Sequence, residues 1–221
     1  MTNAFVPAYV YLAETLGAVV LHVNYRGSTG FGQDSVESLL GKVGSQDVAD
    51  MMQALEHALQ LQYVICSDGK VQIVDPTNNL NGDVHSENAV LARLINKERV
   101  GVVGGSHGGF LGAHLCGQYP TVFRACCLRN PVTNIPAMSS VTDIPDWCHV
   151  EASGKHTMAN LNAGAVRNED LVRMRDCSPI AHIEQYHTPT LICLGAKDRR
   201  VPCSQGVEFY HLLKAKQVPT R

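Results

Sequence analysis

Apolar positions along this chain fall into two rhythms. Some form continuous runs of strand length, at 18–23 (Ala-Val-Val-Leu-His-Val), 100–103, 125–128 and 190–194. Runs without polar alternation suit the interior of a parallel sheet covered on both faces. Other segments carry helical spacing. Between 46 and 59 the apolar residues sit at 48, 51, 52, 55, 58 and 59. Residues 110–119 continue the helical pattern, and 204–216 places Val207, Tyr210 and Leu213 on one side. Residues 8–16 also suit a helix. Strands alternating with helices predict an α/β fold with a mostly parallel sheet. Functional residues are then expected in the loops that follow the carboxyl ends of strands.

Residues 66–96 break that rhythm. Tyr63-Val64-Ile65 and Val71-Gln72-Ile73-Val74 flank Ser67-Asp68-Gly69-Lys70, and Asp-Gly between two β-prone runs predicts a hairpin. The polar run 78–83 reads as loop. We read 66–96 as an insertion in one partial domain spanning 1–221, with no chemistry visible in it.

Composition narrows the function classes. The chain has 221 residues and a formal net charge of −2, with no basic run that would mark a nucleic-acid surface. Eight cysteines are scattered without a C-x-x-C pair. They read as reduced thiols of a cytoplasmic protein, and no ligand spacing supports a metal site. The adjacent Cys126 and Cys127 should face opposite ways on a strand. The apolar stretch 4–23 is interrupted by Pro7 and Glu14 and lacks a basic leader, which argues against a secretion signal and a membrane span. No phosphate-cradling motif appears, and no cofactor is implied. The glycine-containing loop 24–30 fits a ligand cradle and a simple chain turn equally well.

The chemistry concentrates at Gly104-Gly105-Ser106-His107-Gly108-Gly109. Strand, Gly-x-Ser-x-Gly, then helix is the context of a nucleophile elbow, a turn so sharp that glycine is needed beside the serine. Ser106 is the candidate nucleophile. The backbone N–H of His107, at the start of a helix, is a candidate oxyanion donor. A serine also needs a base, and the base an orienting acid. Asp198, directly after the 190–194 run, is the candidate acid. The histidine should come later still. Only His211 does, and it falls inside the predicted helix 204–216. His107, His114, His182 and His187 read as packing or surface residues. Arg199 and Arg200 either pair with Asp198 or face solvent. Trp147, the only tryptophan, fills the core or lines a pocket.

Several longer segments share one pattern: Asn24-Tyr25-Arg26-Gly27-Ser28-Thr29-Gly30-Phe31-Gly32, Gly44-Ser45-Gln46-Asp47-Val48, 104–109, Arg129-Asn130-Pro131-Val132, Thr142-Asp143-Ile144-Pro145-Asp146-Trp147-Cys148 and Asp198-Arg199-Arg200-Val201-Pro202. Together they resemble the catalytic domain of the prolyl oligopeptidase family of serine peptidases, in its acylaminoacyl-peptidase branch. The resemblance implies an α/β-hydrolase fold and a cytosolic enzyme that removes an N-acylated amino acid from a short peptide. It carries over Ser106 as nucleophile, Asp198 as triad acid and the His107 N–H as an oxyanion donor. The family's catalytic histidine, its upstream His-Gly-Gly segment and its β-propeller have no counterpart here. The chain is therefore expected to be a piece truncated at both ends and close to inactive alone. A carboxylesterase of the same fold is one alternative. A non-catalytic chain that associates with a full-length subunit is another, and homo-oligomer formation is left open.

Overall fold

The computed structural model describes residues 6–65, 70–77, 91–154 and 166–221. In chain order its regular elements are α1 (Pro7–Val10), α2 (Gln33–Glu37), α3 (Gln46–Ala58), β1 (Gln62–Ile65), β2 (Val71–Val74), β3 (Leu91–Arg93), β4 (Gly101–Gly105), α4 (His107–Gln118), β5 (Ala125–Arg129), α5 (Ile135–Ser139), α6 (Pro145–Ser153), α7 (Asn168–Asp176), β6 (Thr190–Cys193) and α8 (Ser204–Ala215). The chain divides into two units, one holding 1–24 and 51–97, the other 25–50 and 98–221.

In the larger unit β4, β5 and β6 form a parallel sheet in that order. Val103 is level with Cys127, and Cys127 with Leu191. Side chains of the alternate residues meet helices. A Cβ added at Gly112 of α4 would come within 2.9 Å of Leu128 and 3.5 Å of Val102, so the bare glycine lets the helix lie close against the sheet. Phe110, Leu115, Leu128, Tyr186, Phe209 and Leu213 are fully buried in this layer. Apolar burial of this kind is the main stabilising term of such a core. Residues 219–221 run parallel beside β6, with Thr190 N–H donating to the Pro219 carbonyl (2.9 Å) and Ile192 N–H to that of Arg221 (2.8 Å).

Two expectations need correction. The unbroken runs predicted strands buried on both faces, yet Val103 is 65% and Leu191 44% exposed. The described α4 and α8 cover one face, so burial alternates along each strand. Cys126 is accordingly buried and Cys127 half-buried, on opposite faces as predicted. Residues 18–23 form no strand. An apolar run becomes a strand only where a neighbour meets its backbone N–H and C=O groups. Val19 and Leu21 are exposed instead.

In the smaller unit β1 pairs antiparallel with β2, Ile65 level with Val71, and with β3 on its other side. The predicted hairpin is present, but Ser67, Asp68, Gly69 and the 78–83 loop lie outside the described residues. The predicted 8–16 helix is α1 followed by a π-helical stretch, Tyr11–Thr15. No described helix is long and apolar enough to cross a membrane.

Candidate active site

Ser106 stands at the junction of β4 and α4 with φ 57° and ψ −121°. A non-glycine residue here is strained by roughly 1–3 kcal/mol. Neighbouring bonds hold it in place. Its N–H donates to the Arg129 carbonyl at the end of β5 (2.9 Å), and its carbonyl accepts from Phe110 N–H (3.0 Å). A Cβ at Gly104 would sit 2.0 Å from the Gly108 carbonyl oxygen, and one at Gly109 2.9 Å from Pro131 Cα. The glycine requirement therefore falls on 104 and 109. A Cβ at Gly108 would meet nothing within 4 Å, so that motif glycine is not forced by space. The His107 N–H lies in the first turn of α4, where no intrahelical acceptor is due, and is free to meet an anion.

Asp198 follows β6. Its Oδ1 accepts from the N–H groups of Arg200 (2.9 Å) and Val201 (3.0 Å), and its Oδ2 from the Asn130 side-chain amide. The Val201 N–H first, then the Asn130 amide, hold the carboxyl below the usual carboxylate range. Asn130 is a residue that motif reasoning left without a role. It follows β5 with φ 43°, its N–H donates to the Cys193 carbonyl (2.8 Å), and its Oδ1 accepts from Gly195 N–H (3.2 Å). Its position after a strand was the signal that could have found it. Arg200 does not pair its side chain with Asp198; its Nε donates to Asp143 Oδ1 (2.8 Å). Thr142 Oγ1 donates to the Arg200 carbonyl (2.7 Å), so the 142–143 segment braces the acid turn.

Ser106, Asn130 and Asp198 thus follow three successive parallel strands at one sheet edge. The strands of Ser106 and Asp198 flank β5 and stand roughly 10 Å apart, two strand spacings. Among the described residues, no histidine bonds either Ser106 or Asp198. His114 is buried and its Nδ1 accepts from Gln118 Nε2 (2.9 Å), while its Nε2 donates to the Cys177 carbonyl (3.1 Å). Burial first, then the nearby His182, pushes its pKa down to about 3. His211 lies within α8, as the sequence predicts. The His107 ring stacks on Phe110 (5.1 Å between centroids), with Tyr25 at 5.8 Å and the half-buried Trp147 edge-on at 6.1 Å.

The loop after residue 24 behaves as a structural turn. Arg26 donates from its N–H, Nε and Nη2 to Asp50, at 2.9, 2.9 and 2.6 Å. This pairing, led by the side-chain bond, lowers the Asp50 pKa. Gly27 (φ 109°) has no room for a Cβ, which would come within 2.4 Å of Leu39.

A parallel sheet with a strained serine between strand and helix, and an acid after the strand two along, is the arrangement of the α/β-hydrolase fold. The sequence profile of the prolyl oligopeptidase family matches residues 4–71 and 85–221, and the chain belongs to that family. It is 43% identical over 225 residues to the acylamino-acid-releasing enzyme of Mus musculus, covering 99% of this chain and 26% of that protein. It is 44% identical over 222 residues to the enzyme of the same name from Homo sapiens, with the same coverage. The chain spans about a quarter of the length of these relatives. The fold also matches the acylaminoacyl peptidase of Pyrococcus horikoshii, with a TM-score of 0.64 and 22% identity over 90% of this chain and 26% of that one.

Proposed function

We propose that this chain is part of the catalytic domain of a serine peptidase that releases an N-acylated amino acid from the end of a short peptide. The observation that carries this reading is the strained Ser106 between β4 and α4, in a chain 43% identical to an acylamino-acid-releasing enzyme. The Ser106 oxygen attacks the acylated residue's own carbonyl carbon, whose bond to the next residue's nitrogen then breaks. Its proton passes to a base, and the tetrahedral oxyanion is met by the His107 N–H. The base then gives the proton to the leaving amine. Water repeats the sequence on the acyl-enzyme and frees the acylated amino acid. Asp198 orients the base and balances its positive charge.

The base is not among the described histidines. Triad members act as a unit, and loss of one removes on the order of a million-fold in rate. The described residues alone therefore support little turnover. The unpaired thiols of Cys116, Cys126 and Cys148 fit a reducing, cytoplasmic setting.

The test replaces the matching quarter of the human acylamino-acid-releasing enzyme with this chain and follows hydrolysis of acetyl-alanine anilide. Turnover that disappears in Ser106→Ala is the expected result. A folded chimera that cleaves simple esters but no anilide would replace the peptidase reading with a carboxylesterase. A folded chimera inert to both would leave an associating, non-catalytic chain.

A further inference from the structure

Two buried side-chain polar atoms in the described structure have no hydrogen-bond partner: Asp47 Oδ2 and His107 Nε2. They face each other at 3.3 Å. Asp47 is fully buried in the first turn of α3, and His107 directly follows Ser106. A buried carboxylate oxygen without a donor is costly, and so is a buried ring nitrogen without a partner. A proton on Nε2, brought into line by a small turn of the ring, would satisfy both atoms.

We propose that Asp47 is a positioning residue of this site. Its Oδ2 accepts the Nε2–H of His107, fixing the ring and, through it, the backbone N–H beside Ser106. Three observations separate this role from an ordinary helix-start aspartate. The helix is already served by Oδ1, which accepts from Val48 N–H at 2.9 Å, so Oδ2 is left for another partner. Tyr25 shows that the carboxylate acts on its surroundings: burial first, then the charges of Asp47 and Glu151, pushes its phenol up to about 12. The aromatic contacts of His107 are also insufficient to orient it. Phe110, Tyr25 and Trp147 hold the plane of the ring, but an imidazole rotated by half a turn fills the same space. Rotation exchanges Nε2 with a carbon, which offers the carboxylate no comparable donor. Only the polar contact selects one orientation. The link to catalysis rests on the reading of the His107 N–H as oxyanion donor. The Asp47–His107 bond itself does not.

The test is nitrogen-detected NMR of the chain labelled with ¹⁵N-histidine, with His107 assigned by the signal lost in His107→Gln. A proton on Nε2 in the unsubstituted chain is the expected result. In Asp47→Ala that proton should exchange with water at least about tenfold faster. The His107 backbone amide resonance should move as well, while that of His211 in α8 stays. A proton confined to Nδ1, or ring and amide signals unchanged in Asp47→Ala, would overturn the proposal. If Asp47→Ala loses its fold, the ring tautomer of the unsubstituted chain decides alone. None of these readouts needs Ser106 to react, so failure of the peptidase reading leaves the result for the pair standing.

Discussion

The turn after β4 and the turn after β6 present two candidate catalytic side chains from the same sheet edge, and they are held by opposite means. The serine turn is built from backbone and from missing side chains. Ser106 is kept at φ 57° because Gly104 leaves room for the Gly108 carbonyl and because Arg129 accepts its N–H. The acid turn is built from side-chain bonds in a partly exposed loop. Asp198 collects two backbone N–H groups and the Asn130 amide. A nucleophile needs an unusual backbone shape that packing must enforce. An acid needs only donors around an ordinary loop. The first arrangement should fail abruptly when a single atom is added, and the second should weaken by degrees.

Gly104→Ala tests the abrupt failure and should have the largest effect. Its Cβ would collide with a backbone oxygen that cannot move without unwinding α4. We expect a loss of about 3 kcal/mol or more in urea unfolding, or no folded chain. Gly108→Ala is the contrast. Open space and a helical position make it neutral or stabilising by up to about 1 kcal/mol. Equal losses at both positions would break the comparison.

Next in size is a pH effect from the layer beneath the serine turn. His114 titrates at about 3 in the fold and near 6.5 when unfolded, so the unfolded chain takes up the proton first. Stability is therefore full above about pH 6.5 and declines as the pH drops. Linkage puts the loss between pH 7 and pH 5 at about 2 kcal/mol. Urea midpoints at the two pH values measure it. In His114→Gln, most of that decline should vanish.

Ser106→Gly should stabilise the chain by about 1 kcal/mol, because glycine adopts the strained backbone freely. Ser106→Ala keeps the strain and should give no such gain. The smallest effect belongs to the acid turn. Asn130→Gly removes the amide but tolerates φ 43°, and should change unfolding by less than about 1 kcal/mol. Its clearer mark is on Asp198, whose carboxyl titration, followed by carbon NMR, should move up toward the ordinary range. A carboxyl held low in the fold contributes its stability at neutral pH and loses it as the pH falls through its folded value. That acid-side dependence should shrink in the variant.

What was legible in the sequence follows the same division. The strands and helices around Ser106 were readable because buried runs and helical spacing are local, and the elbow is a contiguous motif. Asp198 was readable as the first acid after a strand. The roles of Asn130 and Asp47 were not, because each depends on a partner 68 or 60 residues away that only folding brings near. Residues 18–23 misled for the related reason that β structure depends on a neighbour, which the run itself does not specify. The expectation of two covered sheet faces failed likewise, since hydrophobicity at Val103 and Leu191 does not state what lies over them.

The most direct test of the central claim, a serine turn fully built with no described histidine to act on it, is fluorophosphonate labelling of the folded 221-residue chain, read by intact mass and peptide mapping. The account predicts a folded chain with Ser106 unlabelled. Label on Ser106 that is absent in Ser106→Ala would contradict it, since a base would then be acting on the serine from within this chain.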